Sequence, residues 1–595
     1  MLIDSLTFVL EKSGALDDFW GKLDAGTDAT LGVASSARPF LASAQFSRSP
    51  RPTLVVVAGE DAAIAFARNM AAYLGEDRVL LFPERADTPF SPKTPDARKV
   101  ARRMEAAFSL ACGRPRVVVA SARALIRMMP PKESLVAAPL VFEAGIELAD
   151  TAREGEAALP GAVRERCCVE SFEDVARALE DRGYANTGEL DGPGTFAVHG
   201  GTIDVFPGNL TYPVRVDFFG DEVDEIRRIV PSTGQTISPL SRVEIYPVRE
   251  YSCSAETIAR ARRKIAAPAK SNAVLRDMLE KLDGGLRFEG ADTLLPYLYD
   301  KPVTLGAWAG PSTMTCLIEP RSLFDDATHA YEEIEARAKG TKIPVVGLYA
   351  GPTALDFGGG VRATYVSIMR VGGTIDVELP VKRVEVAGHP DKLFGRLVNL
   401  VEGGNTVALC AAEPRARHDI ELALVDNGIA FQEALDANFS ESDGLSGDGS
   451  AKRRLRRSVV NVVDIDVPLG MIFPKAKLAI VALSDTQGTQ TTARARRRTD
   501  ITEVTFPYKP GDYVVHAAHG VAFFEDLVRR EIDGTARDYL LLKYAEGDKL
   551  FVPVEQLDRV TRYVGPEGAS PRLTRLNTSD WSRATAKARK ATKKL

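Results

Sequence analysis

The chain has 595 residues, too many for one hydrophobic core, and so is expected to form about three to five domains. At 45% hydrophobic and 26% charged residues it reads as ordinary soluble globular protein, and no apolar run approaches the roughly 18 to 20 residues a membrane helix needs, so no membrane partner is expected. A net charge of −5 excludes a global field for nucleic acid, which leaves local basic patches as the only route to such a partner. The N-terminal MLIDSLTFVLEKSG carries acids early and lacks the basic start of a secretion signal, which predicts cytoplasmic residence. Cys112, Cys167, Cys168, Cys253, Cys316 and Cys410 show no C-x-x-C spacing and predict reduced, mostly buried thiols without a zinc site.

The chain opens on alternating elements: a strand over Thr53–Ala58, a helix over Ala62–Leu74, a strand over Arg78–Phe82, a helix over Pro95–Leu110 and a strand over Arg116–Ala120. Such alternation implies a parallel sheet. The turn after the first strand, Ala58-Gly59-Glu60-Asp61-Ala62-Ala63, stands where a nucleotide-binding protein places G-x-x-x-x-G-K-[ST]. It holds one glycine, two acids and no lysine. Backbone N–H groups need glycines to approach a phosphate, and Glu60 and Asp61 repel it, so the position reads as a degenerate phosphate loop or an ordinary strand-to-helix turn. Downstream, F-P-E-R-A-D-T-P-F-S-P over Phe82–Pro92 resembles the loop of the matching domain of UvrB, the excision-repair helicase.

Next comes G-T-F-A-V-H-G-G-T-I-D-V-F-P over Gly194–Pro207, then P-V-R-V-D-F-F-G-D-E-V-D-E-I-R over Pro213–Arg227. Alternation around the Pro207-Gly208-Asn209 turn predicts a domain built of β-hairpins. The order resembles the UvrA-binding domain common to UvrB and the bacterial transcription-repair coupling factors. Carried over position by position, the resemblance implies UvrA contacts at His199, Arg215 and Phe219, with His199 standing where the family usually has an arginine. The plainer alternative makes Phe219 core and Arg215 a solvated strand residue.

From Tyr251 to about Gly340 the pattern is helical, with amphipathic stretches over Ala255–Ile265 and Ser271–Leu282. L-R-F-E-G-A-D-T-L-L-P-Y-L-Y-D over Leu286–Asp300 resembles the segment that closes the UvrB-like module. A further α/β unit starts near Pro380: a strand over Thr406–Cys410, a helix over Arg415–Asn427 ended by Gly428, and a strand over Ala476–Leu483. The basic runs at 452–457 and 494–498 are candidate phosphate-backbone contacts, or solvated linkers.

The stretch G-D-Y-V-V-H-A-A-H-G-V-A-F-F from Gly511 gives strands over Tyr513–Val515, Val521–Val528, Tyr539–Tyr544 and Leu550–Val552, parted by Gly and Asp turns into a small barrel. V-V-H-x-x-H-G-V, D-Y-L-L-L-K-Y-A and D-K-L-F-V-P-V-x-Q-L, in that order, resemble the RNA-polymerase-interacting domain shared by CarD-like proteins and the coupling factors. Strand addition along Leu527, Val528, Arg529, Arg530, Glu531 and Ile532 is the expected contact with the polymerase β subunit, an internal barrel strand being the alternative. His516 and His519 lack carboxylate or thiol neighbours and read as structural, so no metal site is expected.

The expected fold class is multidomain α/β: a UvrB-like α/β module with an inserted hairpin domain, a small α/β domain and a small CarD-like, Tudor-like β-barrel. Expected divisions are 1–155, 156–248, 249–375, 376–499, 500–568 and 569–595, the last the start of a basic linker helix. The resemblance implies transcription-coupled nucleotide-excision repair, with RNA polymerase and UvrA as partners. In the family, ATP and Mg serve two motor domains that act on DNA; no such motif occurs here, so no cofactor and no catalytic residue are expected, and the chain reads as a truncated product or a piece of a longer protein. The alternative is a CarD-like transcription regulator without a repair role.

Overall fold

The computed structural model describes residues 2–85, 87–88, 95–151, 166–231, 233–283, 290–341, 343–367, 375–384, 390–434, 455–467, 469–483, 511–516, 520–532, 535–545, 548–553, 560–562 and 573–574. The chain divides into two compact units, Met1–Thr489 and Gln490–Leu595. Together they make a mixed α/β protein with several separate sheets.

At the centre of the first unit is a seven-stranded sheet in the order Val377–Leu379, Ala29–Val33, Val361–Val366, Met314–Ile318, Thr53–Val57, Val117–Ser121, Val79–Phe82. Every neighbouring pair is parallel. The strands Thr53–Val57, Val117–Ser121 and Met314–Ile318 are buried at every position because both faces are covered. Val55, Val57, Val117 and Val119 point into one core with the helices Leu2–Lys12, Arg38–Arg48 and Glu60–Leu74. Leu54, Val56, Val118 and Ala120 point into the other, with Ala97–Ala111 and Pro320–Ala338. The early elements match the sequence reading to within two residues.

The helices Ala255–Ile265 and Ala273–Asp283 also appear as expected. The mainly helical reading up to Gly340 needs correcting, because Met314–Ile318 is a central strand of the large sheet. A five-residue apolar run between helices carries no periodicity that separates strand from buried helix.

The hairpin sheet runs Thr236–Leu240, Glu222–Ile229, Val214–Phe219, Thr202–Val205, Thr195–His199, Ala185–Asn186, antiparallel except for the last pair. Its inner face packs Phe196, Ile203, Val205, Val214 and Val216 with Val175 and Leu179 of helix Phe172–Asp181. Gly208, in the expected turn, is needed because a Cβ there would lie 2.4 Å from the Ala97 carbonyl oxygen, so the turn seats directly on the start of helix Ala97–Ala111.

A third sheet orders Lys382–Arg383, Met471–Phe473, Leu478–Ala482, Thr406–Cys410, Val460–Val463 and Phe431–Glu433, with helix Pro414–Asp426 ending before Gly428 at φ 65°. The second unit is a five-stranded antiparallel sheet: Lys549–Pro553, Thr535–Lys543, Gly520–Ile532, Tyr513–His516, Val560–Arg562. The second strand read from sequence extends to Ile532, and Val560–Arg562 adds a fifth. Among the described residues no helix is long and apolar enough to cross a membrane, and no group of His, Cys, Asp and Glu is arranged to hold a metal. Cys167, Cys316 and Cys410 are buried, Cys112 and Cys168 half-buried and Cys253 exposed, all as free thiols.

Candidate functional site

Alternation along Val214–Phe219 sends Val214, Val216 and Phe218 inward and Arg215, Asp217 and Phe219 outward. Phe218 packs edge-on against Phe142, whereas Phe219 is 82% exposed, the most exposed large hydrophobic residue among those described. Phe219 is therefore not core, which removes the plainer reading of that residue. Arg215 lies on the same outer face and is half-buried. Its Nε and one terminal nitrogen each donate to a carboxylate oxygen of Asp204 at 2.7 Å. That bidentate bond holds the guanidinium more firmly protonated than usual, against a smaller opposing effect of burial. His199, at the exposed end of its strand, pairs across to Thr202, which pairs in turn to Asp217. The three carried-over residues thus share one sheet, and His199 joins the row next to that of Arg215.

In the second unit, Leu527–Ile532 pairs along one edge with Thr535–Leu540. The neighbour on the other side, Tyr513–His516, reaches only Gly520–Phe523. Among the described residues, no strand covers the second edge of Leu527–Ile532. Of the side chains there, only that of Val528 is among those described, and it is half-buried. His516 is buried in its strand. His519, the run 494–498, residues 452–454 and, apart from 573–574, the expected linker 569–595 lie outside the described residues.

The family model for the UvrB interaction domain matches residues 170–251, which holds the hairpin sheet, and that for the CarD-like/TRCF RID domain matches 508–564, which holds the five-stranded sheet. Transcription-repair-coupling factors of Mycobacterium bovis, Bacillus subtilis and Myxococcus xanthus are 29%, 24% and 26% identical, over 95%, 93% and 93% of this chain. The chain is similar to the transcription-repair-coupling factors along nearly its whole length. It spans about half the length of these relatives, 46% to 47%.

The turn before helix Glu60–Leu74 shows what has become of the phosphate position. Gly59, at φ 75°, points its N–H at the Asp326 carboxylate 3.0 Å away, and Arg123 holds the other oxygen of that carboxylate at 3.3 Å. Glu60 accepts from the Glu84 backbone N–H at 3.0 Å and from the Ser121 hydroxyl at 3.3 Å. Burial pushes the Glu84 carboxyl up, and Glu60 and Asp326 push the same way. The Gly59 N–H, which would face a nucleotide phosphate, is thus already taken by a carboxylate, and Glu60 adds a second acid beside it.

The F-P-E-R-A-D motif has a different task here. Arg85 ion-pairs with Asp87, Asp292 and Glu250, the last at 3.1 Å. Arg103 donates to Glu250 at 2.5 Å and stacks 3.9 Å from the Phe82 ring centre, and Arg127 meets Asp292 at 3.1 Å. Three cations balance three anions in a buried network that ties the loop after Phe82 to helix Ala97–Ala111 and to Glu250 and Asp292. Sequence reasoning missed Asp326 and Glu250, partners 267 and 147 residues distant from Gly59 and Arg103, which no local pattern signals. It also passed over Asp204, although an acid between Ile203 and Val205 at strand spacing marks an outward position beside Arg215.

Proposed function

We propose that this chain couples transcription to nucleotide-excision repair by docking. Its hairpin sheet holds UvrA through Arg215 and Phe219, with His199 a weaker third contact. Its C-terminal sheet closes into a small barrel that holds the RNA polymerase β subunit by strand addition along Leu527–Ile532. The observation that carries the reading is Phe219, 82% exposed on the same face as a fork-held Arg215 within the segment matched as a UvrB interaction domain. That no strand among the described residues covers the second edge of Leu527–Ile532 supports the polymerase contact.

Strands from both Ala29–Ser121 and Met314–Val366 in one sheet support assigning 1–155 and 249–375 to a single UvrB-like module around the insert 156–248. ATP-driven translocation on DNA, with its ATP and Mg, we assign to the part of the longer relatives that this chain does not span. Cytoplasmic residence follows from the same role.

The test is pull-down of purified UvrA and of the polymerase β subunit by the whole chain. Arg215→Ala with Phe219→Ala is expected to weaken UvrA capture by roughly thirtyfold or more, about 2 kcal/mol. Val528→Pro should abolish polymerase capture by removing a ladder donor, and Arg530→Glu should weaken it without unfolding. Folded variants that capture both partners like the parent would refute the two contacts.

A further inference from the structure

Arg215 and Arg227 face each other directly across the strand pair Val214–Phe219 and Glu222–Ile229 of the hairpin sheet. Like charges directly opposite each other destabilise an antiparallel pair. Here each cation has its own carboxylate: Arg215 is held in a fork by Asp204, and Arg227 is ion-paired with Asp217. Asp217 is fixed in turn by the Thr202 hydroxyl, which donates to it at 2.7 Å. Asp204 is 7% exposed, so its charge is turned inward to the arginine rather than out to solvent.

We infer that Arg227 is a further anchor of this outer face, and that Asp204 and Asp217 are the positioning carboxylates that hold its two guanidinium groups ready for acceptor oxygens on a partner protein. The inference rests on the docking role proposed for this face. A guanidinium carries five N–H donors, and Asp204 takes only two of those on Arg215, so donors remain for an incoming carboxylate or carbonyl. Both arginine side chains are about a quarter to a third exposed, 30% and 27%, which leaves room for contact while restricting their motion. Side chains already ordered in the free protein lose less entropy on binding. Phe219 stands on the same face, two residues beyond Asp217. The surface therefore fits an acceptor-rich protein patch that offers a shallow apolar recess for the ring and oxygens for the two forks.

The experiment measures association and dissociation of UvrA with the parent chain, Phe219→Ala, Arg227→Ala, Arg227→Lys and Asp217→Asn, with a thermal melt of each. Arg227→Ala is expected to bind about tenfold more weakly or worse, a typical loss for an interfacial arginine. Arg227→Lys keeps the charge that steers encounter and loses the planar fork, so its association rate should match the parent while dissociation quickens several-fold, about three to ten times. Asp217→Asn should weaken binding in the same direction by leaving Arg227 only its longer, more exposed pairing with Glu225 at 3.5 Å. A merely structural Arg227 would leave the dissociation rate of folded Arg227→Lys unchanged. If Arg227→Ala and Arg227→Lys bind within about twofold of the parent while Phe219→Ala weakens binding, the inference is overturned and the docking role stands. If Phe219→Ala also binds normally, the docking role itself falls.

Discussion

Glu250 offers the sharpest perturbation of the buried network behind the F-P-E-R-A-D loop. Burial by itself would raise its carboxyl, but Arg103, Arg85 and Arg127 outweigh burial and hold it at about 2 rather than 4.5. That gap corresponds to about 3 kcal/mol in favour of the ionised form. Glu250→Gln keeps the shape and imitates the protonated state, so it should forfeit about that amount and leave Arg103, 0% exposed, without its anion. Because the folded value lies below the unfolded one, the stabilisation is complete above about pH 4.5 and fades as the pH falls toward 2.

The chain has two compact units, so a single melt does not define one free energy, and local hydrogen exchange is the better assay. Peptides covering helix Ala97–Ala111 should lose protection by roughly a hundredfold in Glu250→Gln at pH 7, which is what about 3 kcal/mol implies. Peptides from the five-stranded C-terminal sheet should be unchanged. Exchange of helix Ala97–Ala111 within about threefold of the parent would show that the network is worth under about 1 kcal/mol and refute the reasoning.

Two other predictions follow from the same unit. Glu105 is pushed up to about 7 by burial, with Arg116 opposing and Glu244 reinforcing, so the folded state gives up stability as the pH rises from about 4.5 to 7. Glu105→Gln should therefore stabilise the unit at pH 8, by up to about 3 kcal/mol in local exchange, and leave it unchanged at pH 4; equal stability at both would refute the assignment. The chain should also neither retain ATP in equilibrium dialysis nor release phosphate above a protein-free blank with DNA present, because Glu60, Asp61 and Asp326 meet any phosphate at Gly59. Measurable hydrolysis would sink that reading.

What was legible in the sequence was local. The helix start at Glu60 and the strands around it follow from unbroken apolar runs and a glycine turn, and the outward position of Phe219 follows from alternation beside inward Val216 and Phe218. What stayed hidden was pairing across the chain. Met314–Ile318 becomes a central strand only because Thr53–Val57 and Val361–Val366 flank it, and the fork on Arg215 exists only because Asp204 sits in register.

The two kinds of ion pair also differ in what they accomplish, and burial explains the difference. Arg85 and Arg103 are sealed in with Glu250, so their guanidinium groups fix the loop after Phe82 and are not exposed to a partner. Buried charges of this kind are costly to break and contribute little recognition. Arg215 and Arg227 are open to solvent on one side, so the same carboxylate pairing orders them without exhausting them. The same bond type thus lies enclosed behind the loop after Phe82 and half-open to solvent on the hairpin sheet. An arginine whose carboxylate lies at its flank on an open sheet face is a candidate contact, and one enclosed on all sides is scaffold.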